Sequence, residues 1–210
     1  VLINVTRGPV VESMHRGDAV AVDNTGKILY QIGDPYKVTY LRSSAKPLQT
    51  INVFLSGAVD KYKFDDSEIS IMCASHYCED FHLKVIDSML ENHVLTQANN
   101  DCSGKHCGML ASCLVKGYSL ENYTKFEHEL QKDILNSLSY MCEIEPEKIS
   151  IGVDGCTVPV HAMPIYNMAL GFAKLANPEN LDSDYKAACE RIFDAMNNSP
   201  EMVSGTDGFC

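Results

Sequence analysis

Val38-Thr39-Tyr40-Leu41-Arg42-Ser43-Ser44-Ala45-Lys46-Pro47-Leu48-Gln49 is the stretch on which the reading of this chain turns. Its first four residues are β-branched, aromatic or aliphatic and favour a short strand. From Ser43 the pattern changes. Leu48, Ile51, Val53, Phe54 and Leu55 fit a mostly buried helix, which Ser56-Gly57 ends. Pro47 has no N–H to return to a preceding carbonyl, so it is tolerated only in the first turn and fixes where that helix begins.

On the N-terminal side of this switch, residues 1 to about 41 read as strands. Val1 to Thr6 alternates, and Asp23-Asn24-Thr25-Gly26 is a hairpin turn signal leading into Lys27 to Gln31. On the C-terminal side, helices are predicted over 79–93, 104–117, 120–140, 159–176 and 182–197, with one strand, Ile149–Val153, leading into Asp154-Gly155-Cys156. Runs of strands followed by runs of helices predict an α+β fold, an antiparallel sheet flanked by a helical block. About three N-terminal strands make a thin sheet for so many helices. Residues 1–210 are therefore expected to form a single incomplete domain: a strand region over 1–41, a helical region over 42–147, and a strand followed by helices over 148–210.

Lys plus Arg number 17 against 28 Asp plus Glu, a formal charge of −11. That sign repels phosphate backbones and anionic lipid heads, and no basic cluster offsets it. Neither nucleic acid nor membrane is an expected partner; a small neutral or zwitterionic ligand is. No run of 18 apolar residues is present, which excludes a transmembrane helix by sequence. Nine cysteines is an odd number without the density of a disulfide scaffold, and points to a reduced, cytoplasmic setting.

Three segments carry chemistry. Ser43 and Lys46 lie three apart at a helix mouth, where unpaired N–H groups favour developing negative charge; a serine becomes a nucleophile only when a base takes its proton, and a desolvated lysine can be that base. On spacing alone the same residues also fit a helix cap and a solvated first-turn lysine. In Ala74-Ser75-His76-Tyr77-Cys78-Glu79, Ser75 fits a proton relay or substrate contact as well as a cap, and His82 and His93 read as polar-face residues of the next helix. Asp101-Cys102-Ser103-Gly104-Lys105-His106-Cys107-Gly108 gathers thiols, an amine and an imidazole at a loop-to-helix junction. Thiolate and imidazole are zinc donors, but one loop cannot complete a tetrahedron, and Asp154-Gly155-Cys156 is the natural partner. Cys107 and Cys113, six apart, are expected to face the core.

Together these segments resemble the serine–lysine L-asparaginases, the asparaginase II family. Thr6-Arg7-Gly8 with Val11 to Gly17, Arg42 to Gln49, Ser75-His76 with Glu79 and His82, Cys102 to His106 with Gly108-Met109-Leu110, Asp154-Gly155-Cys156 with Val158-Pro159 and Ala162-Met163-Pro164, and Pro200 to Thr206 look like that family's blocks, in its order. The resemblance implies a fold similar to serine β-lactamases and penicillin-binding proteins, with further sheet strands beyond residue 210. It implies hydrolysis of the side-chain amide of L-asparagine by Ser43, with Lys46 as base and Ser75 in a second serine–lysine pair. It also implies zinc on Cys102, Lys105, Cys156 and a water, with His106 and Asp154 lining the pocket. Tyr77-Cys78 departs from the family, where a small residue precedes the glutamate. The geometric expectation is that Ser43 and Lys46 face each other across a dry cleft that Ser75 borders. Rival readings of the same residues are a glutaminase, a penicillin-recognising hydrolase and a non-catalytic zinc-stabilised module. Homodimer assembly is compatible with the sequence and not fixed by it.

Overall fold

The computed structural model describes residues 1–93 and 100–208, and for 91–93 the backbone alone. The switch at 38–49 is present: β5 (Val38–Tyr40) ends, a 3₁₀ turn spans Arg42–Ala45, and α1 (Lys46–Leu55) follows with Pro47 in its first turn. Upstream lie two antiparallel hairpins. β1 (Ile3–Arg7) pairs with β2 (Val10–His15), and β3 (Ala19–Val22) with β4 (Ile28–Ile32), around the expected turn. A three-stranded antiparallel sheet has the order β5-β7-β6, with β6 at Ser150–Val153 and β7 at Pro159–Pro164. The described helices continue with α2 (Ala58–Tyr62), α3 (Asp66–Met72), α4 (Asp80–His93), α5 (Ser103–Lys116), α6 (Glu129–Cys142), α7 (Ile165–Ala176), α8 (Ser183–Asn198) and α9 (Glu201–Ser204). The class is α+β, with small antiparallel sheets beside a helical block.

Two predicted helices need correction. Residues 159–164 are not the start of a helix but the central strand β7. Its residues Pro159 to Met163 are all buried, and a strand covered on both faces reads as a continuous apolar run, which periodicity cannot tell from a helix. Pro159 and Pro164 stand at its two ends, where a missing N–H is tolerated. The helix predicted over 120–140 begins only at Glu129. His128 caps it, its Nδ1 accepting from Leu130 N–H at 3.2 Å, and residues 117–128 form turns.

α1 is the core helix. Lys46 through Val53 are all buried, and it packs against α5, α6 and α8. Removing such a helix face from water contributes roughly 25 cal/mol per Å² of apolar surface. Cys107 and Cys113 face this core, as expected. No described helix is long and apolar enough to cross a membrane.

Candidate active site

Antiparallel pairing brings the chemistry-bearing segments to one end of the β5-β7-β6 sheet. Tyr40 pairs with Ala162 and Val153 with Pro159, so the residues leaving β5 lie beside the β6–β7 hairpin tip. That tip is Asp154-Gly155-Cys156-Thr157, closed by Asp154 N–H to Val158 O at 2.9 Å. Arg42, at φ 52°, reaches across to Asp154, with Nε 3.2 Å from Oδ1.

The third contributor is the start of α5. A methyl group on Gly104 would collide with the carbonyl of Ile71, so only glycine lets this helix end approach α3 so closely. The approach sets Asp101 and Cys102 beside the Ala74–Ser75 segment, where Asp101 O accepts from His76 N–H at 3.2 Å.

Lys46 is 1% exposed. Its amine bonds Ser75 Oγ at 2.7 Å, the carbonyl of Ala74, and Asp101 O at 3.4 Å. Burial lowers its pKa, as the dry interior disfavours an ammonium; Cys102 acts in the opposite direction. Among the described residues, the hydrogen bonds of the Lys46 amine run to Ser75, Ala74 and Asp101 rather than to the Ser43 hydroxyl it was expected to face. Ser43 is exposed on the 3₁₀ turn, and its carbonyl accepts the Lys46 backbone N–H. The spacing fixes where the two backbones lie, but the four-carbon lysine stem turns inward to a segment 28 and 29 residues away.

Cys102, Lys105 and Cys156 do converge. Lys105 Nζ is 3.2 Å from Cys156 Sγ, and Cys102 and His106 interact with the same sulfur. These donors push the Cys156 thiol far below its ordinary value, that from Cys102 most strongly. Cys102 moves upward, because it holds the proton of the pair and is buried. A cavity of about 210 Å³ opens here between Ser103, His106, Tyr123 and Cys156. Asp154 lines a cavity of about 270 Å³ with Tyr40, Arg42 and Gly155.

Both histidines around Ser75 are buried, and His82 is no polar-face residue. The side chain of His93 lies outside the described residues. His76 Nδ1 accepts from Cys78 N–H at 3.2 Å, and its Nε2 meets Ser103 Oγ at 2.8 Å. His82 Nδ1 accepts from Glu79 N–H, and its Nε2–H donates to Glu201 O at 3.0 Å. Burial and the neighbouring His82 lower the His76 pKa. Cys78 adopts φ 56°, the left-handed region, which accounts for the departure noted there: the position suits a residue with little or no side chain.

The family model for L-asparaginase II matches residues 3–99 and 92–210. The chain belongs to the asparaginase II family. Comparison with curated proteins gives no match. Family membership makes the chain an asparaginase-type hydrolase with L-asparagine as the family's small-molecule substrate.

Among the described residues no group of three or more His, Cys, Asp or Glu could hold a metal ion. The set formed by Cys102, Lys105 and Cys156 is of another kind, two thiols and an amine. Their convergence suits a borderline-soft divalent ion better than magnesium or calcium, which take oxygen ligands. Sequence reasoning missed two residues here. Tyr123 falls in the stretch misread as helix, although Gly117 and Asn122, both at positive φ, mark it as turns. His161, buried in β7, was hidden inside an apolar run.

Proposed function

We propose that the protein hydrolyses the side-chain amide of L-asparagine to L-aspartate and ammonia through a serine acyl-enzyme, on a scaffold of the serine β-lactamase and penicillin-binding-protein kind. The observation that carries this reading is Lys46, a buried amine with a lowered pKa, 2.7 Å from Ser75 Oγ and three residues from Ser43. Ser43 Oγ attacks the amide carbonyl carbon and its proton passes to Lys46. The amine returns that proton to the departing ammonia, and water then cleaves the ester in the same way. Ser75, bonded to Lys46, relays the proton and orients the amine.

Cys102, Lys105 and Cys156 would hold zinc, and a bound zinc would supply positive charge to polarise and anchor the substrate. Lys105 must then be neutral, which the metal's own charge favours. His106 and Asp154 are the residues that would face the substrate's charged ends.

A second assignment of the nucleophile is favoured by the 2.7 Å contact itself: Ser75, not Ser43, is the hydroxyl touching the base. Ammonia release by Ser43→Ala and Ser75→Ala, with mass spectrometry of the quenched enzyme, separates the two. Ser43→Ala should abolish ammonia release without changing the circular dichroism spectrum, and Ser75→Ala should slow turnover while a mass adduct on Ser43 still accumulates. Retained activity in Ser43→Ala, or an adduct on Ser75, moves the nucleophile.

A further inference from the structure

Arg42 opens the 3₁₀ turn that carries Ser43, and its backbone takes the left-handed region, at φ 52°. Residues other than glycine rarely adopt that conformation. Here it accompanies a side chain turned back over the β6–β7 hairpin tip, with Nε 3.2 Å from Asp154 Oδ1. The two partners are unequally covered. The Asp154 side chain is 12% exposed, and its Oδ1 also accepts Gly155 N–H at 2.9 Å, while the Arg42 side chain is 70% exposed. A guanidinium carries five N–H donors in one plane, and Asp154 meets only the Nε–H edge. Among the described residues no hydrogen bond is donated by the terminal nitrogens of Arg42 and none is accepted by Asp154 Oδ2. A cation and an anion, side by side, each keep an open side.

The space beside them is walled. Tyr40 on β5 and Gly152 on β6 flank β7, paired with Ala162 and Val160, which are two positions apart on that strand and so share a face. A Cβ on Gly152 would stand 3.1 Å from Cε1 and from the hydroxyl oxygen of Tyr40, so a bare backbone there gives the ring room to lie across the sheet. Tyr40, Arg42, Gly152 and Asp154 line the cavity of about 270 Å³. Drug-sized ligands fill roughly 300–1,000 Å³, so this space suits a ligand of amino-acid size.

The charges narrow the ligand further. A lone anion would meet Asp154, and the formal charge of −11 repels a polyanion. An α-amino acid carries both charges on one carbon, matching a guanidinium beside a carboxylate. We propose that Arg42 is a substrate-binding residue, its terminal nitrogens gripping the α-carboxylate of the amino acid while the α-ammonium turns to Asp154. Planar, two-pronged pairing of this kind is open to arginine and not to lysine. Since Arg42 directly precedes Ser43, the carboxylate becomes a condition of productive binding. The inference rests on the asparaginase reading for which amino acid is held, not for the paired charges that hold it.

The test compares amides with and without the carboxylate. Ammonia release is measured for L-asparagine and for β-alaninamide, which lacks only that group, with Arg42→Gln and Arg42→Gly. Glycine adopts φ 52° without strain, so the second variant removes the side chain without opposing the turn. Both variants should lower kcat/KM for asparagine roughly 10- to 100-fold, chiefly through KM, and leave that for β-alaninamide within about twofold. Calorimetry of L-aspartate should show the same loss of affinity in both. An equal loss for the two amides, or no loss for asparagine, overturns the proposal. Absence of ammonia release from the unsubstituted protein refutes the asparaginase reading instead. Weaker aspartate binding in the variants then still upholds the charge pairing, and aspartate that binds the unsubstituted protein no better than the variants overturns it.

Discussion

His161 gives the fold a built-in acid sensitivity. It sits at the centre of β7, 1% exposed, and among the described residues neither ring nitrogen has a hydrogen-bond partner. Burial, with a smaller contribution from Lys105, lowers its pKa from 6.5 to about 4. The unfolded chain therefore binds more protons between those two values, and acid favours unfolding. The native state's advantage is whole above pH about 6.5, shrinks as the pH falls, and is gone below about 4. At about 1.4 kcal/mol per pKa unit the full loss is roughly 3 kcal/mol, of which about 2 has been spent by pH 5. That is a large share of the stability of an ordinary domain. Urea unfolding at pH 7.5 and pH 5, for the unsubstituted protein and His161→Leu, isolates this contribution from that of the carboxylates. The variant should lose about 2 kcal/mol less on acidification. It should also be no less stable at pH 7.5, because two unpaired buried nitrogens are replaced by hydrocarbon. Equal acid sensitivity in both proteins would refute the reasoning.

Two further outcomes follow from the site. Cys78→Gly should raise stability by about 1 kcal/mol, since a left-handed residue with a side chain is strained and the Cys78 side chain is exposed; a lowered urea midpoint at unchanged m-value would contradict it. Elemental analysis of the purified protein should find one zinc per chain, lost in Cys156→Ala; a variant that keeps its metal removes Cys156 from the ligand set.

The strand-to-helix switch at 38–49 was legible because proline, a serine pair and a change of hydrophobic period coincide there. So was the meeting of the Cys102 loop with Cys156, since neither segment alone offers enough donors. Lys46 was half legible. Its spacing from Ser43 is a local fact, but where a long flexible stem points depends on which acceptors the fold brings within its reach, and those belong to Ala74, Ser75 and Asp101. β7 was misread for a related reason: burial on both faces erases the alternation that betrays a strand. His161 and His82 were opaque because nothing in a sequence distinguishes a buried neutral imidazole from a solvated one.

The segment around Ser75 also explains why blocks far apart in sequence behave as one unit. It has no regular secondary structure of its own between α3 and α4, so its backbone must be satisfied by other elements. From one side come Lys46 and Asp101. From the other, Glu79 accepts from Thr206 N–H at 2.8 Å and Thr206 Oγ1–H at 2.6 Å, and His82 donates to Glu201 O. Hydrogen bonds from Thr206 hold the Glu79 carboxyl below its usual range, which keeps it ionised and accepting near neutral pH. Weakening either side frees Ser75 to move relative to Lys46, and a 2.7 Å contact between hydroxyl and amine tolerates little movement. Glu201 and Thr206 therefore bear on the placement of Ser75 through the bonds they make to His82 and Glu79.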